Sequence, residues 1–413
     1  MTPSLSEISR VFGRIGLLSF GGPAAQISMM HDALVHRRGW LSEQQFLGAL
    51  SFCMLLPGPE AMQLATYAGW RLRGVPGGLM AGLLFVLPGA MVILALGLGY
   101  AIHGALPLVQ ALFQGIKAAV VVIVLQALLR LARRALPDRA SWGLAGLAFL
   151  AMFVLSVPFP VIIAAAALWG AATRSGPSAD VVRVPVRHGA TLVTAGIWMA
   201  LWATPALVTW AAGVPFLTDL GLFFSRLAVL TFGGAYAVLA YMTDTVVAAK
   251  GWLSTAQMID ALGLAETTPG PLILVTEFVA LLAGYAQGGV WMALMAALLA
   301  LWVTFVPCFL WIFTFGPYVE AILARPRLRG ALAGISAAVV GVILNLSLWF
   351  ALHVLFARVI PTPLGPLPDW TTFSALNLVL IGVAGGLVWG LSLSILRVLL
   401  IMASLTGAGH LLI

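Results

Sequence analysis

The residues able to handle an ion are few in this sequence, and they sit in apolar surroundings next to motifs that break helices. Arg14 and Arg226 lie seven residues before Gly21 and Gly233, in two copies of one motif, Phe20-Gly21-Gly22 and Phe232-Gly233-Gly234. Seven residues span about 10 Å of helix at 1.5 Å each, so a flexible guanidinium can reach the break. Lys117 stands inside the apolar run 106–129. Glu60 directly follows Pro57-Gly58-Pro59, and Glu266 precedes Thr267-Thr268-Pro269-Gly270-Pro271. A helix restarted at such a break aims unpaired amides and about half a positive charge at whatever lies before it, and an anion is the natural guest. A lysine, with three donors on a compact charge, suits a tetrahedral oxyanion, and the two threonines add hydroxyl donors. Glu266 reads as a carrier of a coupling proton or as a counter-ion to Arg226. Glu60, at a helix start, can serve the helix dipole instead. Each assignment has a plainer rival. Arg14 can snorkel to the surface or pair with Asp32 or Glu60, Lys117 can pair with an acid across the bundle, and glycine and proline can serve close packing and kinks.

The solvent around these groups follows from composition. Of 413 residues, 8% are charged and 62% hydrophobic, against about 25% charged in ordinary globular domains. The mean hydropathy is +1.07. Such a chain has too little polar surface for a water-soluble enzyme, whereas a multi-span membrane protein needs little. The net charge of +8 reads as membrane topology rather than nucleic-acid binding. Cys53 and Cys308 lie in apolar stretches, where neither a metal cluster nor a disulfide is expected. The six histidines, His31, His36, His103, His188, His353 and His410, lack ligand spacing such as H-E-x-x-H. No catalytic triad or phosphate loop is present in the sequence, so no cofactor or metal is expected and any transport should be secondary. The polar start MTPSLSEISR precedes a glycine-broken apolar run, and no cleavable signal peptide is expected.

A shift of 212 residues lays 14–59 on 226–271. Arg14 falls on Arg226, Phe20-Gly21-Gly22 on Phe232-Gly233-Gly234, Asp32 on Asp244, Gly39-Trp40-Leu41-Ser42 on Gly251-Trp252-Leu253-Ser254, Gln45 on Gln257, and Pro57-Gly58-Pro59 on Pro269-Gly270-Pro271. After a slip of seven residues, Gly115-Ile116-Lys117-Ala118-Ala119-Val120-Val121 lies on Gly334-Ile335-Ser336-Ala337-Ala338-Val339-Val340, and Gln126 on Asn345. The chain is a duplicated unit: residues 1–187 form a first repeat, 188–213 a linking transmembrane helix and 214–413 a second repeat. Ser42 to Gln45 and Ser254 to Gln257 have capping-box spacing, so each starts a helix that runs to its Pro-Gly-Pro. Proline stops that helix and favours the start of the next. Non-helical backbone at membrane depth is tolerated where it is buried in protein or lines a cavity; two breaks per half point to a central site.

One unpaired crossing between the halves inverts the second relative to the first. The charges fit that parity. Arg71, Arg73, Arg130, Arg133, Arg134 and Arg139 flank the spans 75–101 and 106–129, and two shorter spans, 141–157 and 158–173, return to Arg174, Arg183 and Arg187. The positive-inside rule makes this face cytoplasmic. Crossing at 189–212 then puts Lys250 outside, and 288–315 brings Arg325, Arg327 and Arg329 back inside, leaving Arg358 as the other external cation.

The segments SFGGPAAQISMMHDALVHRRGWLSEQQF and LLPGPEAMQLA of the first half, with TFGGAYAVLAYMTDTVVAAKGWLSTAQM and ETTPGPLILV of the second, resemble the chromate ion transporter family. The likeness runs over nearly the whole chain, through GIKAAVV and GISAAVVGVILNLSLWF. It implies a multi-pass protein of the bacterial inner membrane that exports chromate and confers chromate resistance. Chromate is a tetrahedral dianion of nearly sulfate's shape, and these residues do not separate the two. The expected architecture is an all-α polytopic membrane protein of about 10–13 segments, an inverted repeat with broken or re-entrant helices. The expected binding residues are Arg14, Phe20, Gly21, Gly22, Pro57, Gly58, Pro59, Lys117, Arg226, Phe232, Gly233, Gly234, Thr267, Thr268, Pro269, Gly270 and Pro271, with Glu60 and Glu266 as proton or counter-ion groups. The expected partners are the oxyanion and the lipid bilayer, with room for a homodimer and no role for nucleic acid. A membrane-embedded enzyme, a lipid-handling protein and an anion channel are the rival readings; the missing catalytic constellation speaks against the enzyme.

Overall fold

The computed structural model describes residues 3–173, 188–232, 235–323, 325–362 and 365–411. Gly233, Gly234 and the polar boundary 174–187, with its Arg174, Arg183 and Arg187, lie outside the described residues. In chain order the first half forms α1 (Leu5–Leu18), α2 (Gly22–His31), α3 (Glu43–Cys53), α4 (Glu60–His103), α5 (Pro107–Ala135), α6 (Arg139–Phe153) and α7 (Phe159–Thr173). The linking helix is α8 (His188–Ala211). The second half forms α9 (Pro215–Leu230), α10 (Ala235–Thr243), α11 (Thr255–Thr267), α12 (Val275–Phe315), α13 (Val319–Leu323), α14 (Pro326–Leu355), a hairpin of β1 (Val359–Thr362) and β2 (Gly365–Pro368), α15 (Ala375–Gly385) and α16 (Ile395–Leu411). Among the described residues five stretches are long and apolar enough to cross a membrane: Glu60–His103, Pro107–Ala135, Gly189–Ala211, Leu272–Leu323 and Pro326–Leu355. Five shorter apolar helices accompany them among the described residues. The chain is an all-α polytopic membrane protein.

The duplication read in the sequence is a duplication of local structure. In both halves the first helix ends at a turn, where Phe20 N bonds Leu18 O at 2.9 Å and Phe232 N bonds Leu230 O at 3.0 Å. In both, the next helix widens into a π-helical turn that begins at the repeated aspartate, Asp32–His36 and Asp244–Ala249. The two capping boxes form as the spacing demands. Gln45 N donates to Ser42 Oγ at 3.2 Å and Ser42 N to Gln45 Oε1 at 3.0 Å; Gln257 N donates to Ser254 Oγ at 3.2 Å and Ser254 N to Gln257 Oε1 at 2.9 Å. After each Pro-Gly-Pro a long helix follows that bends at a glycine, α4 at Arg73-Gly74 and α12 at Gly288-Gly289. The spans expected from residues 75 and 288 onward are therefore the second arms of two kinked helices.

The chain divides into two compact units, each drawing on both halves. The first comprises Met1–Leu98, Gly176–Ala235 and Thr268–Leu328. Within it α8 packs along α12 and α9, and two tryptophans trade bonds across the contact. Trp202 Nε1 donates to Val303 O at 3.1 Å and Trp302 Nε1 to Leu201 O at 2.8 Å. The second comprises Gly99–Ser175, Tyr236–Thr267 and Arg329–Ile413. Its centre is α5, packed by α11, α15 and α16. Gly115 and its repeat counterpart Gly334 each lie against a backbone carbonyl of a neighbouring helix, at Met402 and Ala166, where a Cβ would collide. Small residues at such contacts let membrane helices approach closely.

Candidate functional site

In the first unit the broken-helix motifs of the two halves meet crosswise. The Gly270 amide, in the second half's Pro-Gly-Pro, donates to Ser19 O at 3.1 Å and Ser19 Oγ at 2.9 Å, beside the first half's Phe-Gly-Gly. In mirror fashion the Gly58 amide donates to Thr231 O at 2.8 Å. Gly58 corresponds to Gly270 and Ser19 to Thr231 in the duplication, so the exchange is reciprocal. Each bond requires an unusual backbone: φ is +122° at Gly58 and +92° at Gly270, a region side chains disfavour. A buried glutamine braces each junction. Gln26 Nε2 donates to Ser19 O at 3.1 Å and Gly270 O at 2.6 Å, and Gln63 Nε2 to Pro57 O at 2.7 Å. Both glutamines are 0% exposed, and the Oε1 of each has no hydrogen-bond partner.

Around these junctions lie most of the residues expected to bind the anion. Phe20, Gly21, Gly22, Pro57, Gly58, Pro59, Phe232, Thr268, Pro269, Gly270 and Pro271 all belong to the first unit. α2 starts at the break with Gly21 as its cap and no side chain satisfying the first amides, so its N-terminus presents free donors. Glu60 occupies the first turn of α4. Arg14 and Arg226 also belong to this unit. Both are exposed, opposite the buried stripes Ile8, Val11, Phe12, Ile15 and Leu220, Phe224, Leu227; among the described residues neither joins an ion pair. Asp32 does not take Arg14 as its partner: its Oδ2 lies 2.6 Å from Arg37 Nε.

Lys117, Glu266 and Thr267 belong to the second unit. Lys117 Nζ, on α5, lies 3.3 Å from Asp260 Oδ1 on α11. The other oxygen, Oδ2, accepts from Tyr100 Oη at 2.7 Å. Glu266, 5% exposed, accepts a hydrogen bond from Tyr236 Oη, and among the described residues it joins no ion pair. The Thr267 hydroxyl turns back to Leu264 O at 2.7 Å. Each unit also contains a cavity. One of about 620 Å³ in the first unit is lined by Gln44, Gln45, Tyr67, Trp70, Arg71 and Glu320; one of about 400 Å³ in the second includes Tyr241, Asp244, Asn345, Trp349 and His353.

Sequence reasoning missed Asp260, Tyr100, Gln26, Gln63 and Glu277. Glu277, on α12, is 1% exposed and its Oε2 has no partner. A carboxyl inside an apolar run is a signal by itself, and that signal was available for Asp260 and Glu277. The two glutamines carry no charge, and their repeat counterparts are Val238 and Val275, so neither charge nor duplication marks them.

The chain matches the family model described as chromate transporter over residues 6–171 and 218–408. It is 33% identical over 347 residues to the chromate transport protein of Pseudomonas aeruginosa, covering 82% of this chain and 79% of that one. It is 30% identical over 349 residues to the chromate transport protein of Cupriavidus metallidurans, covering 83% and 81%. An uncharacterised transporter of the archaeon Methanocaldococcus jannaschii is 23% identical over 357 residues, covering 85% and 86%. No solved structure matches the chain. Both matched segments contribute to each crossed junction, and by these matches the chain belongs to the chromate transporter family.

Proposed function

We propose that this protein is a secondary transporter that exports chromate, or a tetrahedral oxyanion of the same shape such as sulfate, across the bacterial inner membrane and so confers chromate resistance. The observation that carries the reading is the crossed pair of junctions, Gly270 on Ser19 and Gly58 on Thr231, which gathers broken-helix ends from both halves. Polar backbone in a membrane helix bundle is costly unless it is paired or serves a cavity, and helix starts there favour an anion. The residues assigned to the anion are those named above in the first unit, Phe20-Gly21-Gly22 and the two Pro-Gly-Pro turns for backbone contact, with Arg14 and Arg226 compensating its charge. Glu266, held by Tyr236, serves as a proton site or counter-ion. The two halves run in opposite directions through the membrane, which a cysteine at Arg134 labelled only from the cytoplasm and one at Lys250 labelled only from outside would support; labelling of both from one side overturns it.

The decisive experiment uses purified protein in liposomes, assayed with chromate and with sulfate. Saturable uptake with accelerated exchange against internal chromate is expected of a carrier, and non-saturating flux marks a channel. Arg14→Ala and Arg226→Ala should each lower chromate affinity at least tenfold, with Arg→Lys recovering part because the planar fork is lost. Wild-type affinity in both alanine variants places the site elsewhere.

A further inference from the structure

The cavity of about 400 Å³ in the second unit lies on a stretch of chain whose copy in the first repeat carries a cluster of large polar side chains. In that first copy His31 Nε2 lies 2.8 Å from Glu43 Oε2, the His36 ring packs edge-on against His31 at 4.7 Å, and Arg37 Nε lies 2.6 Å from Asp32 Oδ2. The shift of 212 residues turns His31, His36, Arg37 and Glu43 into Thr243, Ala248, Ala249 and Thr255, and leaves the aspartate in place as Asp244. The backbone underneath is alike. Both aspartates open a π-helical turn, closed by Trp40 N on Leu34 O at 2.8 Å and by Trp252 N on Val246 O at 2.9 Å. Four long side chains have become short ones on a repeated frame, and Thr243, Asp244, Ala248 and Thr255 line the cavity.

Two features of that cavity point to a ligand. Thr243 is 4% exposed and its hydroxyl has no hydrogen-bond partner, which costs free energy in a protein interior. Asp244 keeps the carboxylate but has lost the guanidinium: among the described residues no Lys or Arg lines the cavity and Asp244 joins no ion pair. The neighbouring Lys250 lays its ammonium over the Trp252 ring, 5.7 Å from the centroid. The rest of the lining suits a flat cation. Tyr241 stacks on Phe159 at 5.7 Å and Trp349 lies against His353 at 4.4 Å, and aromatic faces attract a guanidinium. His353 Nδ1 is 2.9 Å from Trp349 O; a carbonyl only accepts, so Nδ1 carries the hydrogen and the neutral ring leaves Nε2 as a further acceptor.

We propose that this cavity is a binding site for a small organic cation of the guanidinium class, whose N–H groups take the place on Asp244 that Arg37 takes on Asp32. The volume falls in the range of about 300–1,000 Å³ typical of small-molecule sites. Paired donors match the two oxygens of a carboxylate, and the Thr243 hydroxyl accepts from a remaining N–H. The site uses none of the residues assigned to the anion, so it stands independently of the transport reading.

Calorimetry on the purified full chain in detergent tests this, with methylguanidinium as the probe and urea, of similar shape but uncharged, as its control. One saturable site for methylguanidinium is expected, with urea at least tenfold weaker. Asp244→Asn should weaken the cation at least tenfold. Ala249→Arg, which tethers a guanidinium where the first repeat has one, should abolish binding of added methylguanidinium and raise the thermal midpoint of the free protein. Should Asp244→Asn fail to fold, Ala248→His, which refills the cavity as in the first repeat, should give the same loss of binding. Equal affinity for urea, unchanged affinity in these variants, or no saturable binding by the wild type overturns the proposal. So does a nickel ion that displaces methylguanidinium and is itself lost in both Asp244→Asn and His353→Ala, which would make this a metal site.

Discussion

The two crossed junctions share one backbone design and differ in the glutamines that brace it. At both, a Pro-Gly-Pro amide bonds the carbonyl that ends a helix in the other half, and the hydroxyl there turns back on its own helix, Ser19 Oγ to Gly16 O at 2.9 Å and Thr231 Oγ1 to Leu227 O at 2.7 Å. The supports diverge. At the Ser19 junction Gln26 clamps two carbonyls and Ser19 Oγ accepts a second bond from Gly270. At the Thr231 junction Gln63 holds a single carbonyl, and Cys308 Sγ would lie 3.1 Å from a Cβ added at Gly58. What the duplication kept is a conformation, and conformation is enforced by glycine and proline. Side chains around it were free to change because the bond itself is backbone to backbone.

The largest effect should come from attacking what the junctions share. Valine at Gly58 or Gly270 places a branched side chain at φ near +90° to +122°, a strain of about 1–3 kcal/mol before any crowding. A Cβ at Gly58 would also lie 2.8 Å from Gln63 Nε2, whereas at Gly270 the nearest atom is the flexible Leu274 Cδ1 at 3.0 Å. Both variants should lose chromate transport in liposomes, and Gly58→Val should unfold at the lower temperature in detergent. Wild-type transport by Gly270→Val would show that the junction can deform without consequence, and the shared geometry would then be scaffold alone.

A smaller effect should appear where the junctions differ. Gln26→Leu strands the Gly270 carbonyl and Gln63→Leu the Pro57 carbonyl, each costing about 1–3 kcal/mol, partly offset because the orphan Oε1 of each glutamine goes with it. Since Gln26 makes two bonds and Gln63 one, the fall in thermal midpoint should be larger for Gln26→Leu. Equal losses would mean that the second bond of Gln26 contributes nothing.

Local structure was legible in the sequence wherever a short motif dictates it. The Phe20-Gly21-Gly22 turn, the capping boxes and the Pro-Gly-Pro breaks lie where spacing put them, because caps and prolines act over a turn or two. The junctions were not legible. Gly270 and Gln26 are 244 residues apart and Tyr100 and Asp260 are 160 apart, and nothing in a motif says which distant segment it will meet. The repeat comparison even hid part of the answer. It singles out residues present twice, while Asp260 opposite Gly48 and Gln63 opposite Val275 are present once. Lys117 stood out as an isolated cation, but an isolated charge in a membrane chain announces a partner without naming it.

The smallest expected effect is a control on the whole comparison. Ser42 and Ser254 cap α3 and α11 with the same two bonds at nearly the same lengths, and both serines are exposed. Replacing an N-cap serine by alanine costs about 1 kcal/mol, because the side-chain acceptor for one orphan amide is lost. Ser42→Ala and Ser254→Ala should therefore lower the thermal midpoint by the same small amount and leave chromate affinity unchanged, since a device repeated in geometry should be repeated in energy. The informative result is a difference. Beyond its first turn α3 carries no acidic residue before it ends at Cys53, whereas α11 holds Asp260 and Glu266 along its length. If Ser254→Ala alone weakens chromate binding, fraying at the start of α11 is reaching carboxylates that have no equivalent in α3, and the asymmetry of the protein extends from its side chains to the rigidity of the helices that hold them.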